Sequence, residues 1–174
     1  MSEPRRHVYT TSSCDETIAL GRELTKMLPP PKVLILRGDL GAGKTTLAKG
    51  IAAALGAAEP EEVTSPTFTL IHEYAGRAIA PESPGENLGE TVLLYHLDLY
   101  RIEGQGQLDT LGIEELATPQ SLVLIEWGEK FPSVVALSDG EIASETRAGD
   151  ERRITVDFRT AQPFRNHPSG TKVE

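Results

Sequence analysis

Cysteine is nearly absent from this chain. Cys14 is the only one in 174 residues. No internal disulfide can form, and a reducing, cytoplasmic setting is the simple expectation. Basic charge is also scarce. Seventeen Lys and Arg stand against 26 Asp and Glu, for a formal net charge of −9. Unaided nucleic-acid binding needs clustered Lys and Arg, so this surface is unsuited to it, although RNA held by a partner remains compatible. Long apolar runs are missing: nothing approaches a membrane span, and residues 1–11 contain no apolar signal segment. No membrane association is expected. There is no internal repeat. The length suits one domain with a sizeable core, expected over residues 1–159, followed by a polar and mobile tail at 160–174.

Glycine is concentrated where it carries chemistry. Residues 33–46 read VLILRGDLGAGKTT, an apolar run of strand length followed by the spacing G-x-x-x-x-G-K-T. Gly38, Gly43, Lys44 and Thr45 occupy its fixed positions. Glycines let the backbone wrap close to a polyphosphate with its N–H groups turned inward. Lys44 can reach β- and γ-phosphates, and the Thr45 hydroxyl can hold Mg²⁺. The helix expected from Lys44 offers the positive end of its dipole to the same anion. Leu47, Ile51, Ala54 and Leu55 recur at helical spacing, and Gly56 is placed to end that helix. Strand, glycine loop and helix together are the context that a phosphate-binding loop requires.

Elsewhere the pattern is coarser. Residues 7–11 read as a short strand. Ser13 and Glu16 fit a capping box, opening an amphipathic helix that Pro29 and Pro30 stop. Residues 68–74 read as a strand, 76–90 as a long hairpin connection, 91–97 as a strand, 104–118 as a weak helix, 122–126 as a buried strand and 153–158 as a late strand. Residues 134–150 are polar and poorly patterned. The fold class expected is an α/β phosphate-loop three-layer sandwich with a mostly parallel central sheet.

Two apolar runs end in acids: 93–97 in Asp98 and 122–125 in Glu126. Such an acid is often only a solvated strand terminus. Beside a phosphate loop, it is also where a metal-holding or water-ordering carboxylate belongs, because ligands of open α/β sheets sit beyond the carboxyl ends of the strands. His96 shares a strand face with Asp98 and can either orient it or be a satisfied, half-buried histidine, the second being preferred. Arg101 reads either as an arginine finger or as one half of a structural ion pair. Trp127 is either core or a flat surface packed on the site. Cys14 reads as a small buried or helix-start residue, with nothing to mark it as a nucleophile. In 65–68, Ser-Pro-Thr-Phe, a hydroxyl can sense the γ-phosphate, or the tripeptide is an ordinary loop.

Taken together, these motifs resemble the TsaE family of bacterial ATPases. The resemblance covers residues 8–130 and rests on GDLGAGKTT at 38–46, SPTFTL at 65–70, YHLDLYR at 95–101, LGI at 111–113 and EW at 126–127. It implies an Mg²⁺-dependent ATPase, with ATP and Mg²⁺ as cofactors, weak alone and serving synthesis of N6-threonylcarbamoyladenosine at position 37 of tRNA. It implies partners of the TsaB and TsaD types, which form the transferase, and contact with tRNA only through them. By the same resemblance Lys44, Asp98 and Glu126 are catalytic. Thr45 and Glu126 hold the metal. Gly41, Ala42, Gly43, Lys44, Thr45 and Thr46 contact the nucleotide, together with the N-terminal segment around Ser13 and Cys14. A small-metabolite kinase would instead need an arginine-bearing lid, for which 76–90 and 138–153, with Arg77, Arg147, Arg152 and Arg153, are the candidates. A nucleotide-gated binding module that scarcely turns over is the other alternative.

Overall fold

In the computed structural model, which describes residues 5–78 and 89–159, seven strands follow in chain order. They are Arg6–Thr11 (β1), Lys32–Arg37 (β2), Ile71–Arg77 (β3), Thr91–Asp98 (β4), Ser121–Glu126 (β5), Gly140–Thr146 (β6) and Arg152–Phe158 (β7). They form one sheet of order β1-β7-β6-β2-β5-β4-β3. The central strands β6, β2, β5 and β4 run parallel. The edges are antiparallel: β3 on β4 at one side, β7 on β6 and β1 on β7 at the other. β2 is therefore central, as its uninterrupted apolar sequence requires of a strand covered on both faces.

Alternation along β2 divides the core into two layers. Leu34 and Leu36 pack with Leu47 and Ile51 of helix α2 (Lys44–Ala54) and Leu24 of helix α1 (Cys14–Leu24). Val33 and Ile35 face the other way, onto Leu108, Ile113 and Val134. These belong to the short helices α3 (Gln105–Asp109), α4 (Ile113–Leu116) and α5 (Pro132–Leu137). Each such side chain, taken fully out of water, contributes about 1.5–3 kcal/mol. The two long helices meet at glycines. A Cβ on Gly50 would lie 2.1 Å from the Ile18 carbonyl oxygen, so α1 and α2 approach closer than any side chain permits.

Several local readings need correction. The run at 68–74 begins as a turn, not a strand. The Leu70 N–H donates to the Pro66 carbonyl at 2.7 Å, and β3 starts at Ile71. The hydroxyls of Ser65 and Thr67 reach Asp98 and draw the segment inward before it can pair. Residues 104–118 form two short helices rather than one, with a break around residues 110–112. The polar stretch 134–150 contains α5 and β6. β6 escaped notice because its buried positions are Gly140, Ile142 and Ser144, only one of which is apolar. The capping of α1 matches in part: Ser13 accepts from the Glu16 N–H at 3.1 Å, but the Glu16 carboxylate takes the Ser12 N–H, one residue early. The hairpin of β3 and β4 is present, while most of its expected connection and the tail at 160–174 lie outside the described residues.

Candidate functional site

Parallel register aligns the chemistry. Leu36 of β2 pairs with Glu126, and Asp98 of β4 pairs with Glu126. Both acids therefore sit at the end of the sheet from which the phosphate loop departs. A cavity of about 360 Å³ opens there. Cys14, Gly41, Gly43, Lys44, Thr45 and Thr46 line it, with Ser65, Thr67, Asp98, Tyr100, Glu126 and Trp127 opposite. Ala42 does not line it. It is buried, with its carbonyl accepting from the Ser144 hydroxyl on β6.

The two carboxylates hold different neighbours. Glu126 accepts from the Thr45 hydroxyl at 3.1 Å on Oε1, and His96 Nε2 lies 3.1 Å from its Oε2. Asp98 Oδ2 accepts from Ser65 at 2.7 Å and Thr67 at 3.0 Å, while its Oδ1 takes the Tyr100 N–H at 2.9 Å. The Ser65 hydroxyl also stands 3.2 Å from Glu126 Oε2, but it has one proton and Asp98 is the nearer acceptor. His96 is thus a partner of Glu126 rather than of Asp98. It is fully buried, not half-buried, and its Nδ1 has no partner among the described residues.

Lys44 is buried, at 6% exposure. Its ammonium donates to the Gly38 carbonyl at 2.5 Å, spanning the loop from within, and sits 4.0 Å from the centre of the Trp127 indole. Burial lowers its pKa, and the carboxylates of Glu126, Glu129, Asp98 and Asp39 pull the other way. Trp127 leaves β5 with a left-handed φ of 62°. Its ring lies 5.1 Å from that of Tyr100. It forms part of the cavity wall and also packs against the core layer of Val33 and Ile35, so both readings of its sequence position hold.

Two features escaped sequence reading. Arg152 lines the cavity and its guanidinium donates to the Gly41 carbonyl at 3.3 Å. The sequence offers it only as a lid arginine, yet 140–158 is a strand pair rather than a lid. Lys130 donates to the carbonyls of Leu99, Tyr100 and Ile102 at 3.1, 2.9 and 3.0 Å. That ammonium ties the turn after Asp98 to the turn after Glu126. Arg101 stacks over Phe68 at 4.0 Å and makes no ion pair among the described residues. Cys14 is exposed rather than buried, and is the first residue of α1.

The donor set around Thr45 suits a hard cation. Hydroxyl and carboxylate oxygens converge, and two buried carboxylates stand within reach of one serine hydroxyl. Among the described residues no three His, Cys, Asp or Glu gather as a full protein cage. Mg²⁺ does not need one, since it is commonly held by one or two carboxylates with waters and substrate phosphates.

A glycine loop at the carboxyl end of a central parallel strand, with a lysine inside it and acids from the next two strands beside it, defines the phosphate-loop NTPase class of α/β folds. Residues 11–154 match the family model described as threonylcarbamoyl adenosine biosynthesis protein TsaE. The chain belongs to the TsaE family, which serves tRNA threonylcarbamoyladenosine biosynthesis. It is similar to proteins named for that process: 35% identical to one from Bacillus subtilis, covering 84% of this chain and 82% of that one. It is 34% identical to one from Treponema pallidum, covering 83% and 95%, and 38% identical to one from Mycobacterium tuberculosis, covering 84% and 83%. The crystal structure of Bacillus subtilis YdiB aligns with a TM-score of 0.59 at 30% identity, covering 91% of this chain and 88% of that one. No helix among the described residues is long and apolar enough to cross a membrane.

Proposed function

We propose that this protein is an Mg²⁺-dependent ATPase whose hydrolysis supports a TsaB- and TsaD-type transferase complex in modifying position 37 of tRNA. The observation that carries this reading is the meeting of Lys44, Thr45, Asp98 and Glu126 at one cavity, at the carboxyl ends of three parallel strands whose register puts those ends together. Loop N–H groups and the N-terminus of α2 bind the phosphates. Lys44 leaves the Gly38 carbonyl for the β- and γ-phosphates, where its charge offsets what develops as the terminal phosphoryl departs. Thr45 and Glu126 would hold Mg²⁺, which when bound would neutralise phosphate charge. Asp98, gripped by Ser65, Thr67 and the Tyr100 N–H, orients the attacking water. The net charge of −9 agrees with RNA held by the partners rather than by this chain.

The test is ATP turnover of the isolated chain against turnover after adding the transferase pair, with Lys44→Ala as control. Slow hydrolysis that rises in the complex and vanishes in the variant is expected. Turnover that ignores the pair, or persists in a folded Lys44→Ala protein, contradicts the reading.

A further inference from the structure

β6 was invisible in the sequence, yet it forms the bed of the phosphate loop. Ser144 lies on it, 2% exposed, and its hydroxyl donates to the carbonyl of Ala42, 102 residues away in sequence. The contact is intimate from the backbone side too: a Cβ on Gly38 would come within 2.5 Å of the Ser144 carbonyl oxygen. No side chain could stand there, so the start of the loop lies directly on this strand.

The direction of the Ala42 carbonyl has a consequence. In a trans peptide the C=O and the following N–H point to opposite sides. With the Ala42 carbonyl turned down onto Ser144, the N–H of Gly43 is turned up, away from the strand. Gly43 lines the cavity, whereas Ala42 and Ser144 do not. That N–H finds no acceptor among the described residues. A backbone donor left free beside a lysine ammonium is the arrangement that binds an anion.

We propose that Ser144 is a positioning residue of this site: its hydroxyl locks the Ala42–Gly43 peptide with the Gly43 N–H facing the cavity, where it serves as a phosphate donor. The inference rests on the nucleotide-binding reading above. Without the hydroxyl the Ala42 carbonyl is buried and unpaired, and the peptide is released to turn toward another donor, which takes the Gly43 N–H out of the cradle. The preorganised loop then has to be rebuilt on each binding event.

The experiment measures ATP·Mg²⁺ affinity calorimetrically for the natural chain, Ser144→Ala and Ser144→Thr, with thermal melts and the Gly43 amide resonance recorded alongside. Ser144→Ala is expected to weaken ATP binding on the order of tenfold. Its Gly43 amide should broaden or split and lose the shift that ATP induces in the natural chain. Ser144→Thr, which keeps the hydroxyl, should restore most of the affinity and a single amide signal. A folded Ser144→Ala protein with natural affinity and an unaltered Gly43 response overturns the role of Ser144 and leaves the nucleotide site standing. Equal weakening in both variants also overturns it, because space and not the hydroxyl would then matter. Failure of the natural chain to bind ATP overturns the nucleotide reading itself and the inference with it.

Discussion

On the flank of β5 and β4 the phosphate loop meets two buried carboxylates, Glu126 and Asp98, with His96 and two hydroxyl-bearing residues between them. On the flank of β6 and β7 it meets a serine hydroxyl, strand backbone, and one guanidinium placed on the Gly41 carbonyl. The first flank is charged and chemically diverse. The second is small and close-fitting. On the proposed function, charge has to be matched to the reacting phosphates, so it stands where atoms move. Fit has to be kept constant, so it stands where the loop must not move. Changes of charge on the first flank should therefore alter the reaction and spare the fold, whereas changes of volume on the second should alter loop, binding and stability together.

The severest way to break this contrast is Lys44→Ala, which removes the charge that both flanks surround. ATP hydrolysis should fall by about 10²–10³ or more. The melting temperature should change little, since the ammonium is bonded to loop backbone rather than to the core. A collapse of the fold would show that Lys44 is a structural strut instead.

Gly38→Ala probes the opposite flank. The new methyl meets the Ser144 carbonyl oxygen at 2.5 Å, at a φ of +152° that side chains rarely adopt. A loss of about 2 kcal/mol or more in chemical denaturation is expected, with ATP binding lost in parallel. Binding lost without any loss of stability would erase the distinction between the flanks.

Within the charged flank, Glu126→Gln and Asp98→Asn should part company. Glu126 touches Thr45, so its amide should weaken Mg²⁺-dependent nucleotide binding. Asp98 touches Ser65, Thr67 and Tyr100, so its amide should leave affinity near normal and lower kcat by about tenfold to a hundredfold. Equal effects on affinity and rate in both variants would contradict this division.

Lys130→Met should have the smallest effect. It frees the turn at 99–102 from the turn after Glu126, at a cost of about 1 kcal/mol in stability. Tyr100 then loosens against Trp127, and the emission of this single tryptophan should shift before any nucleotide is added. In the natural chain ATP·Mg²⁺ alone should change that emission, because Lys44 stacks on the indole and is called away by phosphate. An emission indifferent to both would remove Trp127 from the site.

How much was legible follows from the range of each interaction. The loop, the α2 helix and the strands ending in acids are written in consecutive residues, where spacing alone implies geometry. Asp98 and Glu126 could be named as partners because an apolar run followed by an acid needs no distant information. β6 could not, since Gly140, Ile142 and Ser144 show no hydrophobic period and are buried only because β2 and β7 flank them. The partner of His96 is illegible in the sequence for a related reason. Asp98 is two residues away on its own strand, whereas Glu126 lies on the neighbouring strand, two residues beyond the Leu124 that pairs with His96, and only strand pairing brings it near.

The chain by itself determined that a phosphate loop springs from a central strand and that acids follow two other strands, because each of those features lies within one short segment. Only the tertiary structure decided which oxygens face which, that Lys44 rests on Trp127, and that Ser144 holds Ala42. Those contacts join residues up to 102 positions apart, and their geometry exists only once strand order and register have brought the segments together.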